Sequence, residues 1–250
     1  DRNFLLKNCY RIIFNSNWSK NRFLEGLDHK YINSEKLKVF FQSAKKGDLK
    51  YLKNKKKWIT FVGKLNKAKG YDIFGQAITK ILNNNKNWTA KVVGDEKREK
   101  ISFNHKNVEK LGFLNHQKVL SLYRQTSIAV VCSRWEEPFG RTSLEASANG
   151  CAVIISNKGG LPETVTNAVV LNQLTPNELY KKINNLIKNT SERKKLQLLS
   201  IKNFFLTHKY ISSLIDSYRD EKLQNINFFN TYKKKSLRIL HVTNFNERLD

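Results

Sequence analysis

Glu137-Pro138-Phe139-Gly140-Arg141-Thr142-Ser143-Leu144-Glu145 is the stretch on which the reading of this chain turns. An apolar run ending in Val130-Val131-Cys132 precedes it. Pro138 and Gly140 then break the run, which reads as a strand-to-helix turn. Residues 142–148 read as the opening of a helix. Backbone N–H groups at a helix N-terminus point outward unpaired, and the helix dipole adds positive potential there. Such an end suits a phosphate. Glu137 and Glu145 lie eight positions apart, one on the turn and one in the first turns of the helix. Carboxylates so placed can grip hydroxyls on either side of the phosphate. A sugar nucleotide has that layout: hexose hydroxyls, diphosphate, ribose hydroxyls.

Working outward, strand candidates lie at 58–63, 88–93, 108–111, 128–132, 152–156 and 168–171. Helical stretches fall between most of them, including 117–124 and 142–148. Phe74, Ala77, Ile78, Ile81 and Leu82 recur at the spacing of one helix face. Alternating strands and helices imply a parallel sheet covered on both faces, with right-handed crossovers: an α/β, Rossmann-like architecture. Ligands bind such sheets beyond the carboxyl ends of the strands. Upstream, Arg11-Ile12-Ile13-Phe14 reads as a strand leading through Asn15–Ser19 to a capped helix ending by Leu27. Leu37–Phe41 is a further strand candidate. Residues 45–57 are lysine-rich and suit a hinge. Residues 191–220 read as two more helices, 221–235 as a polar linker, and 237–244 as another strand.

The chain has 250 residues, 40% of them hydrophobic, enough for one sizeable core or one domain with pieces of another. No apolar run approaches the length of a bilayer span. Cys9, Cys132 and Cys151 are odd in number and lack metal-like spacing. They fit a reducing cytoplasm better than a disulfide framework, and Cys132 and Cys151 lie in apolar runs that suggest core packing. The five histidines show no ligand spacing. A net charge of +25 would draw anions, nucleic acid or anionic lipid; a compositional bias toward lysine explains it equally well. The chain lacks methionine and starts with Asp, so it is expected to be a fragment or a processed piece of something longer.

The Glu137–Glu145 nonapeptide resembles the Glu-(seven residues)-Glu signature of retaining GT-B glycosyltransferases of the family-4 type. Four more blocks stand in that family's order: Phe61-Val62-Gly63-Lys64-Leu65-Asn66-Lys67-Ala68-Lys69-Gly70, Val92-Val93-Gly94-Asp95, Val108-Glu109-Lys110-Leu111-Gly112-Phe113-Leu114 and Gly159-Gly160-Leu161-Pro162-Glu163. Together they cover roughly residues 58–188. The resemblance implies a GT-B donor-binding domain at 44–220, preceded at 1–43 by the end of an acceptor-side domain. Its terminal helix is expected to cross back onto that domain. Residues 221–250 would be a linker and the first strand of a further Rossmann-like domain. A tandem second enzyme, a permuted domain order and a joined fragment all account for that strand; the tandem enzyme is preferred.

The resemblance also implies roles. Lys64, where the family has arginine, and Lys69 would meet the leaving diphosphate, with Gly63 letting backbone approach it. Lysine keeps the charge but loses arginine's fork. Glu137 would face the transferred sugar as the catalytic carboxylate, and Glu145 the ribose. Phe139, Gly140, Arg141 and Thr142 would contact phosphate or sugar, and Phe113 and Leu114 the base. Gly159 and Gly160 would form a tight turn behind the site. Neither a metal nor a cofactor is expected: GT-B enzymes neutralise the diphosphate with side chains and helix dipoles, and no Asp-x-Asp motif is present. The expected partners are a nucleotide-diphosphate sugar and a sugar or lipid-linked acceptor. The expected location is the cytoplasm, with peripheral contact at the anionic inner membrane face. Two other readings compete: a basic nucleic-acid-binding module, for which no recognition motif is present, and a non-catalytic glycosyltransferase-like domain.

Overall fold

The computed structural model describes residues 2–31, 34–227 and 239–242. These fall into two units, 44–204 and, from both ends of the chain, 1–43 with 205–250.

The chain begins with α1 (Arg2–Asn8), β1 (Arg11–Phe14), α2 (Asn17–Leu24) and β2 (Leu37–Val39). Ser16 caps α2 by accepting the Ser19 N–H at 2.9 Å, as its sequence suggested. Leu6, Ile12, Phe14, Phe23 and Leu37 form the core of this unit.

The larger unit then runs β3 (Lys56–Val62), α3 (Tyr71–Asn84), β4 (Thr89–Val93), β5 (Val108–Lys110), α4 (His116–Gln125), β6 (Thr126–Val131), α5 (Arg141–Ala148), β7 (Ala152–Ser156), β8 (Val169–Leu171), α6 (Pro176–Lys188) and α7 (Thr190–Lys202). Its six strands are all parallel, in the order β5-β4-β3-β6-β7-β8. Every strand candidate between 58 and 171 is a strand, within two residues at each end. β6 and β7 are buried throughout because helices cover both faces. Alternate residues feed two cores. Ile128 and Val130 join Phe61, Phe74, Ile78 and Leu179 on one face. Ala129 and Val131 join Val119, Leu122, Tyr123 and Ala146 on the other. Cys132 and Cys151 are both fully buried, as expected, and burial pushes the Cys132 thiol up to about 12.

Three segments take forms that differ from the expectations. The lysine-rich segment 45–57 is not a loose hinge. Asp48 caps a 3₁₀ turn over Leu49–Asn54, and Gly47 N–H donates to Ala148 O at 2.8 Å. Lys55 Nζ donates to Tyr123 O at 2.9 Å and Asn149 O at 2.7 Å, carbonyls at the C-terminal ends of α4 and α5. Burial pushes its pKa down, and these carbonyls keep the ammonium satisfied.

The boundary expected at 220 lies at 204. The next helix, α8 (His208–Asn227), belongs with the smaller unit. Arg11 Nε–H donates to the Tyr218 hydroxyl, and the Tyr218 ring lies 5.6 Å from that of Phe40. α8 also takes in residues 221–227, read above as linker.

The strand expected to open a further domain, β9 (Ile239–Val242), instead pairs in parallel with β1, giving the order β2-β1-β9. The free edge of β1 offers it unpaired N–H and C=O groups. The rest of the linker, 228–235, and positions 237–238 and 243–244 lie outside the described residues. Among the described residues no helix is long and apolar enough to cross a membrane.

Candidate active site

Strand order in the larger unit reverses between β3 and β6, so the crevice beyond their carboxyl ends is the sheet's switch point. The N-termini of α3 and α5 flank it. Side chains cap the N-termini of α2, α4, α6 and α7. α3 and α5 start instead at Gly70 and Gly140, both left-handed and with no side chain to accept from the first turn. In α3 the first N–H groups are taken, Tyr71 N–H by Asn66 O at 3.1 Å and those of Asp72 and Ile73 by the Asp72 carboxylate, so the N-terminus of α5 is the one open to a ligand where the sheet topology puts one.

Glycine is required here by close packing. A Cβ on Gly94 would lie 1.9 Å from Gly63 O, and one on Gly159 2.3 Å from Glu137 O. Gly160 N–H donates to that same Glu137 oxygen at 2.6 Å. The Gly159–Gly160 turn thus braces the peptide that carries Glu137, the structural role expected of it.

The loop from Lys64 to Gly70 is held from two sides. Asn66 Oδ1 accepts the Lys69 N–H at 3.0 Å, while its Nδ2 donates to Glu96 at 3.0 Å. Arg134 and Trp135 N–H groups both donate to Ala68 O, at 2.9 and 3.0 Å. Arg134 also makes a forked pair with Asp72, at 2.6 and 2.7 Å, and reaches Lys67 O at 2.7 Å. Two carboxyls are shifted by these contacts. The Arg98 N–H and side chain, then Asn66, pull Glu96 down to about 2. Hydrogen bonds from Arg134 hold Asp72 below the usual range.

A depressed carboxyl contributes stability above its unfolded pKa and loses it as pH falls through the folded value. The Asp72 contribution is therefore complete above about pH 3.9 and disappears below it. Chemical denaturation between pH 5 and pH 2.5 should show Asp72→Asn less stable by roughly 0.5–1 kcal/mol at the upper end, the gap closing toward the lower. A gap constant across that range would contradict the pairing.

This bracing puts Lys69 Nζ on Glu137 Oε1 in a partly buried ion pair across the switch point. Glu145, one helix turn into α5, is 5% exposed. Its Oε1 accepts from Arg141 Nη2 at 2.8 Å and from His116 Nε2 at 3.0 Å. An ionised carboxylate only accepts, so the imidazole donates. Lys64 is exposed at the end of β3, and its side chain has no partner among the described residues. Phe113 is 78% exposed beyond β5, while Leu114 is half-buried against the core. Phe139, at 1% exposed, is a core residue. Its expected contact can only be through backbone.

The sequence did not reveal His116, Arg134, Asp72, Asn66 or Glu96. One signal for His116 was available. A helix following a strand in a parallel sheet begins on the carboxyl rim, so the first residue of α4 starts on the same side as Glu145.

The family model described as glycosyl transferases group 1 matches residues 41–202. Spore coat protein SA of Bacillus subtilis (strain 168) is 28% identical over 158 residues, 56% of this chain and 42% of its own. An uncharacterized glycosyltransferase of Methanocaldococcus jannaschii is 32% identical over 198 residues, 76% of this chain and 53% of its own. The lipopolysaccharide core biosynthesis mannosyltransferase LpsB of Rhizobium meliloti is 30% identical over 121 residues, 44% of this chain and 34% of its own. The chain spans about half the length of the first two. Among solved structures, Anabaena HepE in complex with UDP and glucose superposes with a TM-score of 0.69 at 19% identity, over 87% of this chain and 65% of its own. Sucrose-phosphate synthase from Thermosynechococcus elongatus gives 0.70 at 16%, over 88% and 60%. At such identities the likeness shows the fold, that of GT-B glycosyltransferases.

Proposed function

The chain belongs to the glycosyl transferases group 1 family, and we propose that it moves a sugar from a nucleotide-diphosphate sugar to an acceptor hydroxyl with retention of anomeric configuration. The observation that carries this reading is the Lys69–Glu137 pair beside the uncapped N-terminus of α5. In a donor the anomeric carbon is bonded directly to the diphosphate. A cation and a carboxylate in contact can therefore serve the two sides of that one bond.

As the bond from C1 to the diphosphate oxygen breaks, Lys69, Lys64 and the N-terminus of α5 stabilise the leaving charge, and Glu137 offsets positive charge on the sugar. The acceptor oxygen bonds to C1 on the face the diphosphate leaves, and its proton passes to a leaving phosphate oxygen. Glu145 accepts from the ribose hydroxyls. Lysines and backbone N–H groups take the place of a metal ion. UDP-glucose, held by Anabaena HepE, is the first donor to try. The names of the spore coat and lipopolysaccharide relatives support an envelope glycan as acceptor.

Nucleotide diphosphate should bind with EDTA present. Isothermal titration of the chain with UDP, GDP and ADP tests this, and absence of heat from all three in folded protein would overturn the reading. Glu145→Ala should weaken that binding about 10- to 100-fold, the worth of a lost charged hydrogen bond of roughly 1.5–3 kcal/mol. Unchanged affinity would remove Glu145 from the ribose.

A further inference from the structure

At the opposite, amino-terminal end of the strands, where β3 begins, lies a cavity of about 420 Å³. Its lining is Tyr51, Asn54, Lys56, Ser121, Arg124 and Gln125: two cations, four neutral polar groups and no carboxylate. It is formed by the 3₁₀ turn Leu49–Asn54, the last turns of α4 and the first residue of β3. The donor reading makes no use of any of these residues.

Arg124 is the central observation. Its guanidinium carbon stands 5.1 Å from the centre of the Tyr51 ring, and its Nε is buried without a hydrogen-bond partner. The residue as a whole is only partly buried and lines the cavity, so its charge is available there to an anion through the rest of the guanidinium. Lys56 lies on the same cavity with its Nζ 4.6 Å from the Trp58 ring centre. Neither cation has an ion-pair partner among the described residues.

One objection is the C-terminal end of α4, whose dipole repels anions. That end is already quenched. Thr126 N–H bonds to Leu122 O and Tyr123 O, the Thr126 hydroxyl bonds to Leu122 O at 2.9 Å, and Lys55 Nζ sits on Tyr123 O. The nearby carboxylate, Asp48, is paired with Lys50 at 3.1 Å. Seven lysines between 45 and 57 leave the surrounding potential positive.

We propose that this cavity binds a phosphate monoester group, with Arg124 as forked donor and Lys56 as second charge. Its volume has room for the phosphate and a sugar-sized remainder. The group comes either from a soluble phosphate or from a lipid headgroup.

The test titrates the whole chain with inorganic phosphate at about 0.15 M salt, where the screening length is roughly 8 Å. UDP is included in a parallel series to occupy the donor site. Wild type should show saturable phosphate binding that UDP leaves in place. Arg124→Gln and Lys56→Gln, each checked for folding by circular dichroism, should weaken it roughly tenfold or more while binding UDP as wild type does.

A second arm compares neutral phosphatidylcholine vesicles with vesicles also containing phosphatidic acid. Retention on the latter, lost in both variants, identifies a headgroup; phosphate binding without retention identifies a soluble ligand. Absence of phosphate binding, displacement by UDP, or titrations unchanged in both variants would overturn the proposal. Because UDP binding is read separately, failure here is distinct from failure of the donor assignment.

Discussion

Glu137→Gln is expected to lower kcat for nucleotide release from the donor by about 100- to 1000-fold, with donor KM within about threefold of wild type. Glutamine keeps the shape of the side chain and its capacity to hydrogen-bond. It removes only the negative charge opposite Lys69. The glucose of UDP-glucose is neutral, so with that donor the charge adds little to ground-state binding. The transition state carries positive charge at the anomeric centre, and there the carboxylate matters. The substitution also frees Lys69 for the diphosphate, which should hold or improve affinity for UDP. Steady-state kinetics of UDP release, with UDP binding measured alongside, separates these effects. An unchanged kcat would remove Glu137 from the chemistry. A large rise in KM at constant kcat would make it a binding residue instead.

Gly70→Ala should cost about 2–5 kcal/mol of stability, the sum of left-handed strain and overpacking. Gly70 opens α3 at φ +72°, and an added Cβ would stand 1.9 Å from Cys132 O and 3.1 Å from Cys132 Sγ. That carbonyl follows β6 directly and cannot move without shifting the central strands. Gly112 provides the internal control. Its φ is +64°, but no atom lies within 4 Å of the Cβ position. Gly112→Ala should therefore cost only the backbone strain, about 1–2 kcal/mol. Urea unfolding of the two variants measures the difference. Equal losses would mean that the close approach of α3 to the end of β6 is wrong.

The elements of the larger unit were legible because each is a local pattern. Phe74, Ala77, Ile78, Ile81 and Leu82 are all buried on α3, as their spacing requires. Runs such as 128–132 and 152–155 are apolar throughout because their strands are covered on both faces. Gly70, Gly140 and Gly159 mark turns that side chains would block. Loop-end residues were legible too, since a parallel sheet puts the end of every strand on one rim. The burial of the Phe139 side chain was not legible, because an apolar residue beside a polar motif does not show which core takes it.

By itself, then, the sequence determined the strand and helix positions between 58 and 202, the alternation that forces a covered parallel sheet, and the glycine-started helices at its rim. These depend on backbone sterics and on apolar periodicity within a few residues. Only the tertiary structure decided which charges meet. Lys69 reaches Glu137, His116 reaches Glu145, Arg134 reaches Asp72, and Lys55 sits on the carbonyls of two helices. It also decided that the chain from 205 joins the unit begun by residues 1–43, and that β9 pairs with β1. In a chain this rich in lysine, composition offers each carboxylate many partners. Strand order and helix direction leave each one only a few within reach, because an ion pair needs contact at a few ångströms and that distance is set by the fold.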